Sequence, residues 1–189
     1  MNHRQKLSNR RSVRLPHYNY SQADFYFITI CTYERQCTLG EIAHKEMYLS
    51  AAGNIVQSIW TTLPKRFPGL ELDDYVIMPN HIHGILVLTK IPSVSGPDDL
   101  THTQHALHAT SGNITTSGQP DSFPSLGGII RTFKAAATYH IHSGGISAFA
   151  WQGRFYDNII RDEERLAYIR DYIANNPALW EEDSLHMYA

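Results

Sequence analysis

Two apolar runs set about a Pro79-Asn80 dipeptide, spanning residues 75–88, constrain the fold of this chain more than any other feature. Proline presets the backbone of a turn and asparagine tolerates its tight geometry, so the runs read as adjacent antiparallel strands. The second run opens with His81 and His83. Residues two apart on a strand point to the same face, so the two imidazoles stand side by side and Ile82 turns the other way. Adjacent imidazoles add nothing to the packing of an apolar strand, and they suit a divalent metal. A partly exposed histidine pair at a hairpin end accounts for the motif equally well.

The other elements follow in order. Residues 25–32 are aromatic and β-branched and read as a first strand. A polar excursion through Gly40 leads to Ser50, an N-cap for a helix over residues 51–67, in which Ile55, Ile59 and Leu63 recur at helical spacing. Residues 72–77 and 81–88 form the second and third strands. Residues 125–142 read as a second helix with an Ile129, Ile130 and Phe133 stripe, and Arg131 and Lys134 on a neighbouring face. Residues 149–161 supply a fourth strand. Asp162, Glu163 and Glu164 open a last helix, where the helix dipole favours negative charge, and the helix runs to about Ala174, short of Pro177. This β-α-β-β-α-β order with an added C-terminal helix predicts an α+β, ferredoxin-like (RRM-like) antiparallel sheet. Its helices lie on one face, leaving the other face to a substrate.

Two segments stand apart. Residues 1–22 form a basic arm with Arg4, Lys6, Arg10, Arg11 and Arg14, on a chain of 189 residues whose net charge is −2. Such an arm gains affinity for phosphates by counterion release, or merely solubilises. Residues 91–124 are rich in Ser, Thr, Gly, Pro and Asp, lack hydrophobic periodicity, and read as a flexible inserted loop within a domain covering 23–189. Its His102, His105 and His108 read as incidental. Cys31 and Cys37 are too few for a disulfide framework, and no apolar run approaches the ~20 residues of a bilayer span. A cytoplasmic protein without a membrane partner is the expectation.

The tripeptide His140-Ile141-His142 repeats the strand motif near a helix end. There, residues two apart diverge by about 200° and cannot share a ligand. That copy is expected to fray into the Gly144-Gly145 turn. The last helix offers the strand pair a partner: Tyr168, Tyr172 and Asn176 lie at i, i+4 and i+8, on one face. Asn176 can offer a carbonyl oxygen and Tyr172 a phenol. Core-edge tyrosines and a helix-capping asparagine explain the same pattern.

Four ordered motifs carry a resemblance: residues 74–84, residues 126–134, Trp151-Gln152, and residues 168–177. From about Arg11 to Trp180, the insert excepted, the chain resembles the REP-associated tyrosine transposases (RAYTs), single-tyrosine transposases with a histidine-hydrophobe-histidine (HUH) motif. The resemblance implies a metal-dependent enzyme that cleaves and rejoins single-stranded DNA beside hairpins, as monomer or homodimer. Carried over by position, His81, His83 and Asn176 would hold Mg2+ or Mn2+, and Tyr172 would be the nucleophile. Imidazole and amide donors alone do not exclude zinc. Tyr156 is a rival nucleophile, on a strand where the family pattern carries variable aromatics. Arg131, Lys134, Gln152 and Arg154, with Arg10, Arg11 and Arg14 of the arm, are the candidate DNA contacts. Relatives often carry a histidine where this chain has Asn158. No P-loop motif is present, as befits a reaction that conserves bond energy in a phosphotyrosine. The alternatives are a non-catalytic hairpin-binding module for DNA or RNA and a metal-dependent phosphodiesterase using activated water.

Overall fold

A computed structural model of the chain describes residues 24–89 and 125–186. The basic arm, with Arg10, Arg11 and Arg14, and the insert at 91–124 lie outside the described residues. The elements are β1 (Asp24–Cys31), a small hairpin of β2 (Gly40–Ala43) and β3 (Glu46–Leu49), then α1 (Ala51–Arg66) and β4 (Leu70–Met78). They continue with β5 (His81–Leu88), α2 (Leu126–Ser143), β6 (Tyr156–Ile160) and α3 (Glu163–Asn175). Each α-helix is capped at its N-terminus by its own sequence. The side chains of Ser50, Ser125 and Asp162 accept from the backbone N–H groups of Gly53, Gly128 and Arg165.

The main sheet runs β4-β5-β1-β6, with every neighbouring pair antiparallel. Leaving aside the small hairpin, this is the ferredoxin-like arrangement. Strand alternation divides the apolar residues between two faces. Tyr26, Ile28 and Ile30 of β1 and Ile82, Leu86 and Leu88 of β5 pack beneath α1 and α2, against Val56, Trp60, Ile129 and Phe133. On the opposite face, Ile85 of β5 and Ile160 of β6 meet Ile169 and Ile173 of α3. Burial of each such side chain contributes roughly 1.5–3 kcal/mol, so α3 rests on a small but real second core. A bulge in β4 between Leu72 and Tyr75 brings Asp73 to Arg170 of α3, whose Nε donates to its carboxylate at 3.0 Å.

Four expectations change. The helices do not all share one face: α3 covers part of the face expected to stay open, because Ile169 and Ile173 recur at i, i+4 and need burial. The excursion before Ser50 holds the β2–β3 hairpin, whose turn puts His44 and Lys45 at φ 51° and 65° without the Asn-Gly signal such turns usually carry. The fourth strand begins only at Tyr156; upstream of it, Trp151 forms a single bridge with Thr32. The second His-Ile-His does not fray, since α2 stays helical through Ser143. His140 and His142 are both exposed there, and His142 Nε2 contacts the Phe149 carbonyl at 2.8 Å.

Gly84, immediately after the strand histidines, is required by packing. A Cβ there would lie 2.7 Å from Trp60 Cζ2 and 3.3 Å from the Tyr75 Cβ. Trp60 is fully buried and edge-on to Phe133, so it has no room to retreat. Gly84→Ala should lower stability by about 1–3 kcal/mol through overpacking, read as a lower urea midpoint at unchanged m-value.

Candidate active site

The pairing of β5 with β1 places Thr29 opposite His83 and Cys31 opposite His81. Both imidazoles project to the α3 face at the end of the sheet where β4 turns into β5, and both are buried. Their rings meet edge to face with centroids 4.4 Å apart.

Each ring is oriented by a neighbour on its Nδ1 side. Asn80 Oδ1 lies 2.7 Å from His81 Nδ1, and Asn80 Nδ2 donates to the Leu185 carbonyl at 2.9 Å, which fixes which end of the amide faces the ring. An amide oxygen only accepts, so His81 carries its proton on Nδ1 and keeps a lone pair on Nε2. His83 Nδ1 lies 2.9 Å from the Thr29 hydroxyl. On its other side, the Tyr172 hydroxyl lies 3.2 Å from His83 Nε2. Both Nε2 atoms thus face α3 and the segment that follows it.

That segment adds a residue which sequence reasoning missed. After α3 the chain turns back through a 3-10 turn (Trp180–Glu182), packing Trp180 near His81 with ring centroids 6.1 Å apart. Asp183 follows, its Oδ2 3.7 Å from His81 Nε2. His81, His83 and Asp183 each present one ligand atom, and the three atoms lie within 4.8 Å of one another. Nothing in the sequence pattern singles out Asp183; only the tertiary return of the chain brings it to the histidines.

Asn176 caps α3 and is buried among these groups. Its Nδ2 donates to Asp183 Oδ2 at 3.2 Å, while its Oδ1 has no hydrogen-bond partner. His81 Nε2 is likewise buried without a hydrogen bond. Two orphaned acceptors beside a carboxylate are costly in a dry site and fit a cation that would accept their lone pairs. The donors are nitrogen and oxygen. Cys31, across from His81, lies outside the group, and burial raises its thiol pKa, so it stays protonated.

Burial sets the charge states. It pushes His83 down to about 4, and it holds His81 well below the usual imidazole range, helped by the neighbouring His83 and by Arg35. Burial and then the Asp183 carboxylate raise the Tyr172 phenol above its ordinary value, with the Asn176 amide pulling the other way. At neutral pH the site therefore holds two neutral imidazoles and a protonated phenol.

The other candidates are dispersed. Arg131 is exposed. Lys134 is half-buried and spends its ammonium on the chain itself, donating to the carbonyls of Gln152 at 2.7 Å and Arg154 at 2.9 Å. Burial lowers it to about 8. Lys134 therefore fixes the Gln152–Arg154 loop rather than presenting a free charge there, and Arg154 itself is exposed. Tyr156 lies opposite Thr29, in the same row of the sheet as His83, with its ring half exposed. Asn158, opposite Phe27, is one row farther from the histidines.

A histidine whose pKa falls on folding stabilises the fold fully above its unfolded value, and that contribution is lost as pH falls toward the folded value. His83, moving from 6.5 to about 4, should cost the metal-free protein about 3 kcal/mol between those pH values. Urea unfolding in EDTA across that range checks it: His83→Gln should flatten the acid limb.

A scan against protein-family models finds none that matches. An uncharacterized protein of Haemophilus influenzae is 39% identical over 181 residues, covering 96% of this chain and 95% of its own length. Among solved structures, the REP-associated tyrosine transposase bound to a REP hairpin superposes with a TM-score of 0.53 at 18% identity, covering 87% of this chain and 72% of its own. A Deinococcus radiodurans R1 structure named provisionally as a transposase aligns at 16% identity over 86% of this chain and 95% of its own, with a TM-score of 0.40, too low to bear on the fold. Among the described residues no helix is long and apolar enough to cross a membrane. The chain belongs to one family with the Haemophilus influenzae protein, and its fold is that of the REP-associated tyrosine transposase.

Proposed function

We propose that this protein is a metal-dependent DNA strand transferase of the tyrosine transposase type, with Tyr172 as nucleophile. The observation that carries the reading is the 3.2 Å contact between the Tyr172 hydroxyl and His83, beside a buried group of two histidines and a carboxylate. A phenol aimed at a metal-competent cluster is an arrangement that packing alone does not demand. The solved relative of the same fold, a tyrosine transposase bound to a REP hairpin, supports hairpin-flanked DNA as the substrate.

His81, His83 and Asp183 would hold the ion, with the orphaned Oδ1 of Asn176 as a fourth donor. A bound Mg2+ or Mn2+ would polarise the scissile phosphate and offset the charge that develops on it. Asn80 and Thr29 keep the imidazoles oriented, which preserves their basicity toward a ligand. The Tyr172 oxygen then attacks phosphorus, its proton passing to solvent. The bond to the 3′ oxygen breaks, and that oxygen takes up a proton. The products are a 5′-phosphotyrosine and a free 3′-hydroxyl, which reverses the step on a second end and so rejoins strands without nucleotide hydrolysis.

With Mn2+ and a single strand carrying a hairpin and unpaired flanks, the wild-type protein should become covalently attached to DNA, seen as a denaturation-resistant band. Tyr172→Phe should abolish the band, as should EDTA. Cleaved strands free of protein from Tyr172→Phe would point to activated water instead. Asp183→Asn should weaken Mn2+ binding by at least ~10-fold by calorimetry. If Asn176→Ala does so and Asp183→Asn does not, the third ligand is the amide.

A further inference from the structure

Beside the His83–Tyr172 contact opens a cavity of about 390 Å³, in the size range of small-ligand sites. Its walls include Phe27, Tyr156, Tyr168, Arg35 and Arg165, and among the described residues no Asp or Glu lines it. On a chain of net charge −2, a recess whose described lining holds two arginines and no acid is a local exception. Tyr156 and Tyr168 keep 49% and 60% of their surface exposed. The Arg165 guanidinium lies over the Tyr168 ring, 4.9 Å from its centroid, holding that ring in place. Arg35 donates to the carbonyl of Ser184, another lining residue, at 3.2 Å, which tethers it there. Tyr156 shares a sheet row with His83 with one strand between them, so the recess extends about 10 Å from the ligand cluster.

We infer that this recess is a subsite for one unpaired nucleotide of the substrate strand, its base stacked on Tyr168 and Tyr156 and its phosphate met by Arg165 and Arg35. Exposed rings offer a face to any base, and arginines supply the charge for its phosphate, the combination that single-strand binding requires. A base still stacked in a duplex has no free face to offer. The subsite therefore selects an unpaired strand beside the nucleophile, while a hairpin stem is held elsewhere. That this nucleotide adjoins the scissile phosphate rests on the proposed function; the affinity for unpaired strand does not.

The test is fluorescence anisotropy with a labelled eight-nucleotide dT strand, in EDTA so that no cleavage intervenes. Tyr168→Ala should bind about tenfold more weakly, and Tyr168→Trp should bind as wild type. Arg165→Ala should reduce the slope of log affinity against log salt by about 0.7. A blunt duplex of the same length should bind Tyr168→Ala and wild type alike. Wild-type affinity of Tyr168→Ala for the single strand, or an equal loss on the duplex, overturns the subsite. The two proposals fail separately. Tyr168-dependent strand binding without any Tyr172 adduct removes the catalytic reading alone, and adduct formation with Tyr168-independent binding removes the subsite alone.

Discussion

One buried amide holds the site together. The Asn80 carbonyl accepts from the Thr32 backbone N–H at 2.9 Å and from the Thr32 hydroxyl at 3.0 Å, its Oδ1 meets His81, and its Nδ2 reaches the carbonyl of Leu185. A single residue thus joins the exit of β1, the entrance of β5 and the returning C-terminal segment. The bonds to Thr32 and His81 are shielded from water, so they are both strong and costly to lose. Asn80 follows Pro79 in the turn, and its placement is therefore inherited from the backbone that makes the β4–β5 hairpin possible. Folding the sheet and orienting the first imidazole are one event.

Electrostatics then follow from burial. Two neutral imidazoles lie beside a carboxylate with several lone pairs unmatched, a state whose cost is offset by the packing of the surrounding sheet and α3. The same burial strengthens any charge placed among those donors. It also helps hold the Tyr172 phenol above its ordinary pKa.

Much of this was legible in advance. The His81 and His83 pair needed only strand alternation to read, and the Tyr168, Tyr172 and Asn176 face needed only the helical period. Both periodicities are local. Asp183 was invisible because its role depends on how the chain turns back after Pro177, which no spacing in the sequence encodes. The β2–β3 hairpin was missed because His44 and Lys45 adopt left-handed backbone without glycine or asparagine to announce it. The coverage of the second sheet face by α3 was misjudged for a related reason. Ile169 and Ile173 make an apolar stripe too narrow to say which surface it seeks until the sheet exists.

That narrow stripe acts as an angular gauge. Ile169 and Ile173 fix the rotation of α3 about its axis, and Tyr172, one residue before Ile173, inherits its bearing from them. Each residue turns a helix by about 100°, so adding or removing one between these isoleucines would swing the hydroxyl away from His83 while sparing the helix itself. Aim is thus written into aliphatic side chains that belong to neither the histidine–carboxylate group nor the phenol. Over evolutionary time this stretch should tolerate exchange of side chains far better than any change in its length.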